Sequence, residues 1–167
     1  MQIDVRMASK KDLDSLTELV SPSYGRTLDD ELEDQDRGIL SFVIAWVDSK
    51  ACGYGFVRWD GARSKYVRSK CPRLPEVYRL TVLENMQSNG IGTRLMQYIE
   101  SKAVTRGINV MGLGVSYANV RAYELYKRIG YRDVVAKYYD VYNHVDKKGV
   151  VHEVKEKCRY MCKQIHA

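Results

Sequence analysis

No stretch of this sequence approaches the roughly 18 consecutive apolar residues that a membrane-spanning helix needs, so no membrane partner is expected. The opening MQIDVRMASKKDLDSL also lacks the apolar core of a signal peptide. The expectation is a chain that begins near Met1 and stays in the cytoplasm. Cys52, Cys71, Cys158 and Cys162 contain no CxxC pair, and His144, His152 and His166 fall late in the chain, away from any cysteine cluster. No metal site is expected, and the cysteines read as reduced, partly buried thiols. Internal repeats, low-complexity tracts and Pro/Gly/Ser-rich linkers are absent as well, which leaves one domain spanning 1–167.

What is present fits that size. With 167 residues, 45% hydrophobic and 29% charged, the chain can bury a single sizeable core and is not of disordered composition. Its net charge of +6 favours anionic partners. A nucleic acid or a polyphosphate cofactor would both satisfy it, so charge alone does not choose.

QIDVRMA alternates like a strand. Ser9 and Asp12 make a capping-box start for a helix whose stripe, Leu13, Leu16 and Leu19/Val20, ends near Pro22. The acidic segment TLDDELEDQD holds a short second helix. ILSFVIAWV and CGYGFVRW flank DSKA as a hairpin, and DGARSKYVRSKCPRLP reads as a basic loop without apolar periodicity. EVYRLTVLE is a strand. Ile91, Leu95, Ile99 and Ala103 then mark a helix with one buried face. INVMGLGVSY is the next strand, and Ala122, Leu125, Tyr126 and Ile129 mark a helix stopped by Gly130. YRDVVAKYYDVY and HEVKEKCRYMCKQI close the chain around the turn DKKG. The class is mixed α/β.

Between strand and helix lies QSNGIG, residues 87–92. A strand, a glycine turn and a helix N-terminus form an anion cradle, because the first backbone N–H groups of the helix are unpaired and its dipole is positive there. A phosphate-binding Walker loop needs Gly-Lys-Ser/Thr, whereas Gly92 precedes Thr93-Arg94. A dinucleotide fingerprint needs three glycines, and only Gly90 and Gly92 are present. The spacing Gln87-x-x-Gly90-x-Gly92 resembles the acetyl-CoA pyrophosphate loop of the GNAT N-acetyltransferases. NVRAYELYKRIGY, residues 119–131, resembles the same family's following helix, with Asn119, Ala122, Leu125, Tyr126 and Gly130 in its spacing.

That resemblance implies a GNAT-type mixed, mostly antiparallel sheet flanked by helices, with acetyl-CoA as acetyl donor. It implies that the backbone of Leu80, Thr81 and Val82 holds the pantetheine arm in a gap between strands. Gln87, Ser88, Asn89, Gly90, Ile91, Gly92 and Thr93 would hold the pyrophosphate, and Asn119 would contact the cofactor while capping its helix. Tyr126 would donate a proton to the departing sulfur; as a plain residue it could equally be a core aromatic. Glu76, eleven residues before Gln87, stands at the offset of the general base in the histone-acetylating branch, although an exposed strand-start carboxylate would read the same. A base is needed because a lysine-like amine is about 99.9% protonated at neutral pH.

The acceptor is the least defined part. Asp29, Asp30, Glu31, Glu33, Asp34 and Asp36 could attract a cationic amine or simply be a solvated helix face, and Arg63, Lys65, Arg68, Lys70 and Arg73 could draw an acidic substrate or steer the cofactor. Trp46, Trp59, Tyr24, Tyr138, Tyr139 and Tyr142 are aromatic walls or packing. The expected function is acetyl transfer to a primary amine of a small cationic molecule. A protein lysine or N-terminal acetyltransferase and a non-catalytic acyl-CoA-binding module are the alternatives. A homodimer is compatible with the sequence. Nucleic acid is not expected as a partner, because the basic loop lacks interleaved stacking aromatics.

Overall fold

The computed structural model describes residues 1–21 and 23–166. The chain runs β1 (Asp4–Met7), α1 (Leu13–Leu16), α2 (Leu28–Asp36), β2 (Leu40–Val47), β3 (Lys50–Arg58), α3 (Lys65–Lys70), β4 (Glu76–Val82), α4 (Ile91–Thr105), β5 (Val110–Ser116), α5 (Val120–Arg128), β6 (Arg132–Val145) and β7 (Val151–Gln164). The strands form one seven-stranded sheet in the order β1-β2-β3-β4-β5-β7-β6. Every pairing is antiparallel except β4 with β5. This is the mixed, mostly antiparallel sheet expected.

Hydrophobic patterning explains the layers. Every residue of β2 is buried. Val43, Ala45 and Val47 point into the core under α4, and Phe42, Ile44 and Trp46 point into the one under α1 and α2. A strand covered on both faces loses the polar alternation of a half-exposed one. On α4 the four residues spaced by four, Ile91, Leu95, Ile99 and Ala103, are all buried. Asp48 and Ser49, both left-handed at φ +50° and +63°, turn β2 into β3.

Two readings need correction. The first helix is shorter than its stripe implies: regular α structure stops at Leu16, and Val20, still buried, follows in a turn. Pro22, the expected terminator, lies outside the described residues. The basic segment is not all loop. Ser64 Oγ accepts from Val67 N at 3.3 Å, Val67 is buried against Tyr138 and Cys158, and together they hold the six-residue α3.

The ladder between β4 and β5 has only two registered pairs, Glu76 with Gly112 and Val77 with Leu113. Beyond them the strands part. On its other side β4 stays paired with β3, but with a bulge: Tyr78 pairs Phe56 and Thr81 pairs Tyr54, so Arg79 and Leu80 face Gly55 alone, and Arg79 is left-handed at φ +55°. Strands β6 and β7 run on as a two-stranded arm beyond Cys158, the last β7 residue paired to β5. Asp146 Oδ1 closes its tip by accepting from Lys148 N and Val150 N. No helix is long and apolar enough to cross a membrane among the described residues.

Candidate active site

A cavity of about 870 Å³ occupies the parting of β4 and β5. One end is lined by Leu80, Gly114, Ser116, Asn119, Ala122 and Tyr126, and the other by Glu76, Tyr78 and Arg79, by Ser21 and residues of the 23–40 segment, and by the β6–β7 arm. Leu83 N donates to Cys52 O of β3 at 2.9 Å. By the two-residue alternation of a strand, Val82 therefore turns its own N–H and C=O away from β3. Gln87 Nε2 donates to that Val82 carbonyl at 3.2 Å, so this side chain braces the loop to the strand.

The loop ends at α4 with Gly90 as N-cap, left-handed at φ +79° and with nothing within 4 Å of the place a Cβ would take. No side chain caps α4, so the N–H groups of its first turn stay open. An anion fits there on helix polarity and on the free space above Gly90. Gly92 has a different reason to be glycine: a Cβ there would stand 3.0 Å from Leu125 Cδ2 of α5. Ser88, left-handed at φ +67°, accepts from Arg121 of α5 at 2.5 Å. Arg121 thus brings a cation to the loop, a partner found through tertiary structure and not signalled by the 87–92 motif. Asn89 Nδ2 donates to Met86 O and Gln87 O within the loop. Ile91 is buried and starts α4, with Thr93 two residues on in the same first turn.

Asn119 Oδ1 accepts from Ala122 N at 3.1 Å and the residue also lines the cavity, so both of its expected roles are available together. Tyr126 is buried and faces the cavity, and burial pushes its hydroxyl well above the ordinary tyrosine range. At neutral pH it keeps its proton.

Glu76, at the head of β4, is 8% exposed. Its Oε1 accepts from Arg58 Nη1 at 3.0 Å and from Arg63 N at 3.4 Å. Burial raises its pKa, and the Arg58 guanidinium opposes that rise. Tyr160, fully buried on β7, lies beside the same carboxylate. It fits because β5 carries glycine opposite Glu76: a Cβ on Gly112 would stand 2.7 Å from Tyr160 Oη. Two residues on, Tyr138 Oη occupies the place a Gly114 Cβ would need. Burial also pushes Tyr78 up to about 12, and Arg58 stacks on its ring with 4.0 Å to the centroid.

Of the acidic run, Glu31 and Asp34 reach the cavity, and both are in ion pairs with Arg26, at 3.4 and 2.6 Å. Asp29, Glu33 and Asp36 are exposed, and Asp30 caps its own helix through Thr27 N. Of the basic segment, Arg63 lines the cavity and pairs with Asp140 of the arm, while Arg68 is tied to Ala62 O and Asp60. Tyr138 and Tyr142 line the cavity, whereas Trp46 packs in the core. No group of three or more metal-ligating side chains occurs among the described residues.

Comparison with known proteins agrees with this geometry. The model of the acetyltransferase (GNAT) family matches residues 11–131. An uncharacterised N-acetyltransferase of Archaeoglobus fulgidus is 28% identical over 136 residues, 74% of this chain and 89% of that protein. Among solved structures, an N-acetyltransferase of Staphylococcus aureus Mu50 superposes with a TM-score of 0.72 at 13% identity, covering 99% of this chain and 100% of its own. The structure of yncA from Salmonella typhimurium with its cofactor acetyl-CoA gives 0.69 at 18% identity, covering 100% and 96%. The family match spans most of the chain, including both sequence motifs and the strand that heads the cavity, and the chain accordingly belongs to the GNAT family of acetyl-CoA-dependent acetyltransferases.

Proposed function

We propose that the whole chain, 1–167, acts as one domain that moves the acetyl group of acetyl-CoA onto a primary amine of a small molecule held in the cavity. The observation that carries this reading is the continuity of that cavity, from the parting of β4 and β5 to Glu76, with the 23–40 segment and the arm among its walls. A cavity walled on these sides suits a small acceptor better than an extended peptide.

Acetyl-CoA, when bound, supplies an activated thioester and a sulfur leaving group. Gly90 to Thr93 and the open amides of α4 would hold its phosphates, with Arg121 adding charge. Leu80 to Val82 and Asn119 would hold the arm, and a strand N–H there would meet the oxygen on which charge develops. Glu76 takes a proton from the acceptor amine, directly or through one water. A carboxylate whose pKa is raised by burial is a better base for this than an exposed one. Tyr126 Oη donates to the sulfur as it leaves. Full transfer from so weak an acid to a thiolate of pKa about 8.5 is uphill, so its contribution is a hydrogen bond that strengthens as charge builds.

The test is a panel of amines assayed by release of free CoA thiol, beside a control without acceptor. The expected result is thiol release that requires an amine and gives the acetylamide by mass. Acetyl-CoA binding with no release on any amine would point to the non-catalytic alternative. Release only with peptides would point to the protein-directed one.

A further inference from the structure

The cavity that takes the acceptor contains a charge without an opposite partner. Among the described residues that line it, four are arginines. Arg26 pairs with Glu31 and Asp34, Arg58 with Glu76, and Arg63 with Asp140. Among the described residues Arg79 pairs with no carboxylate. Its guanidinium donates to two neutral oxygens, Ser21 O and Ser23 Oγ (3.2 Å), and stacks on Phe56 with 4.9 Å to the centroid. A guanidinium has five N–H donors, and these two bonds leave three free.

The backbone has been shaped to present it. A regular strand would turn residues 78 and 79 to opposite faces of the sheet. The bulge instead sends Arg79 to the face of Tyr78 and Phe56, with Arg79 in the left-handed region that residues bearing a Cβ avoid. Glycine, which has no Cβ, would hold this bulge more easily. Backbone strain held at a ligand cavity points to a role for the side chain.

From the unpaired guanidinium, its aim and its strained backbone, we infer that Arg79 binds an anionic group of the acceptor, so that the acceptor is an amine that also carries a carboxylate. This rests on the reading of the cavity as the acceptor site. The lining holds five carboxylates, Glu31, Asp34, Glu76, Asp140 and Glu156, against the four arginines. That excess of negative charge disfavours a dianionic phosphate and leaves the singly charged carboxylate as the better match. The same inventory changes the role of the acidic run: Arg26 pairs with Glu31 and Asp34, and Arg37 pairs with Asp34 as well, so two guanidiniums balance these two carboxylates and they exert little pull on a purely cationic amine.

The experiment compares amino acids with the amines left by their decarboxylation, 5-aminopentanoate against butylamine among them, with ethanolamine phosphate as a further probe. The readout is the ratio of kcat/KM for the carboxylated over the decarboxylated amine. Amine basicity cancels when that ratio is compared between wild type and variant. In Arg79→Gly the ratio should fall roughly 10- to 100-fold, the worth of a charge-assisted hydrogen-bonded pair, and the fall should appear mainly in KM. Glycine relieves the left-handed backbone, so this variant should fold at least as well as wild type. Arg79→Lys should recover part of the ratio. An unchanged ratio in Arg79→Gly, or a wild-type preference for the phosphorylated amine, would overturn the inference. The acetyl-CoA-induced rise in melting temperature is measured on the same samples. If that rise occurs and the panel is acetylated without regard to carboxylate, this inference fails alone. If wild type shows neither rise nor thiol release, the acetyl-transfer reading fails with it.

Discussion

Glycines 112 and 114 are exposed to a sharp test, because each has given its side-chain space to a different tyrosine. An Ala Cβ at position 114 would collide with Tyr138 Oη, while the next atoms, Tyr138 Cζ and Tyr160 Cδ1, are 3.4 and 3.8 Å away. The collision is therefore with one oxygen. Tyr138 is buried in a cluster with Val67, Cys158 and Tyr160, so moving its ring disturbs that packing. Overpacking of this kind costs about 1–3 kcal/mol. Taking about 2 kcal/mol, and 2–4 °C per kcal/mol for a domain of this size, Gly114→Ala should lower Tm by roughly 4–8 °C. Tyr138→Phe removes the offending oxygen, so the double variant should regain most of that loss. At Gly112 the outcome differs. A Cβ there would meet Tyr160 Cε2 at 2.7 Å and Leu74 Cδ2 at 2.8 Å as well as the hydroxyl, so Tyr160→Phe should not rescue Gly112→Ala. Denaturant melts of the four single and two double variants give both cycles. Additive losses at 114, or an equal rescue at 112, would refute the packing argument.

Gly90→Asp or Gly92→Asp should abolish most of the stabilisation by acetyl-CoA, the first by placing negative charge in the anion cradle and the second also by wedging Leu125; unchanged shifts in a thermal titration would remove the loop from the site. Tyr126→Phe should keep that shift yet slow turnover, by about 10²-fold at the low end of general-acid effects, and wild-type turnover would end the donor role. Because burial raises the pKa of Glu76, kcat/KM should rise with pH along a limb above the ordinary carboxylate range, and Glu76→Gln should flatten it; a pH-independent loss leaves Glu76 a positioning role only. The Arg6 guanidinium holds the buried Asp12 carboxylate down to about 2, so the pair stabilises the fold above the unfolded pKa near 4 and the benefit disappears as pH falls towards 2. With Arg6 half exposed, the contribution is about 1–2 kcal/mol. An Asp12→Asn variant whose stability difference from wild type does not shrink over that window would contradict this.

Much of the fold was legible because its signals are local. The unbroken apolar run of β2, the four-residue spacing of α4 and the glycine stops each follow from neighbours in sequence. The same holds for the loop at 87–92 and the helix at 119–131, whose spacing carried the family and the candidate cofactor residues. What the sequence hid depends on contacts across the chain. Helix α3 rests on one cap, Ser64, and one buried side chain, Val67, too little to leave a period. The left-handed bulge at Arg79 has no signature, since nothing marks an arginine for positive φ. Glu31 and Asp34 read as a cation trap or a solvated face, because the helix start that folds nearby Arg26 back onto them leaves no mark in the charge pattern. Gly92 looked like a phosphate glycine, yet its missing Cβ is also needed for Leu125.

The sparse join between β4 and β5 has a mechanical consequence. Two registered pairs connect the half-sheet β1–β4 to the half-sheet β5–β7, while the neighbouring seams β3–β4 and β5–β7 have five and seven. Backbone groups along the open edges beyond Val77 and Leu113 are left for whatever enters. A donor molecule lying there would bond to both halves and complete the missing seam as a temporary strand. Its affinity and the cohesion of the protein would then be one quantity seen from two sides. Amides of the two half-sheets should exchange with solvent at different rates when the cleft is empty and become protected together as it fills, so that each turnover would tighten and loosen the centre of the molecule.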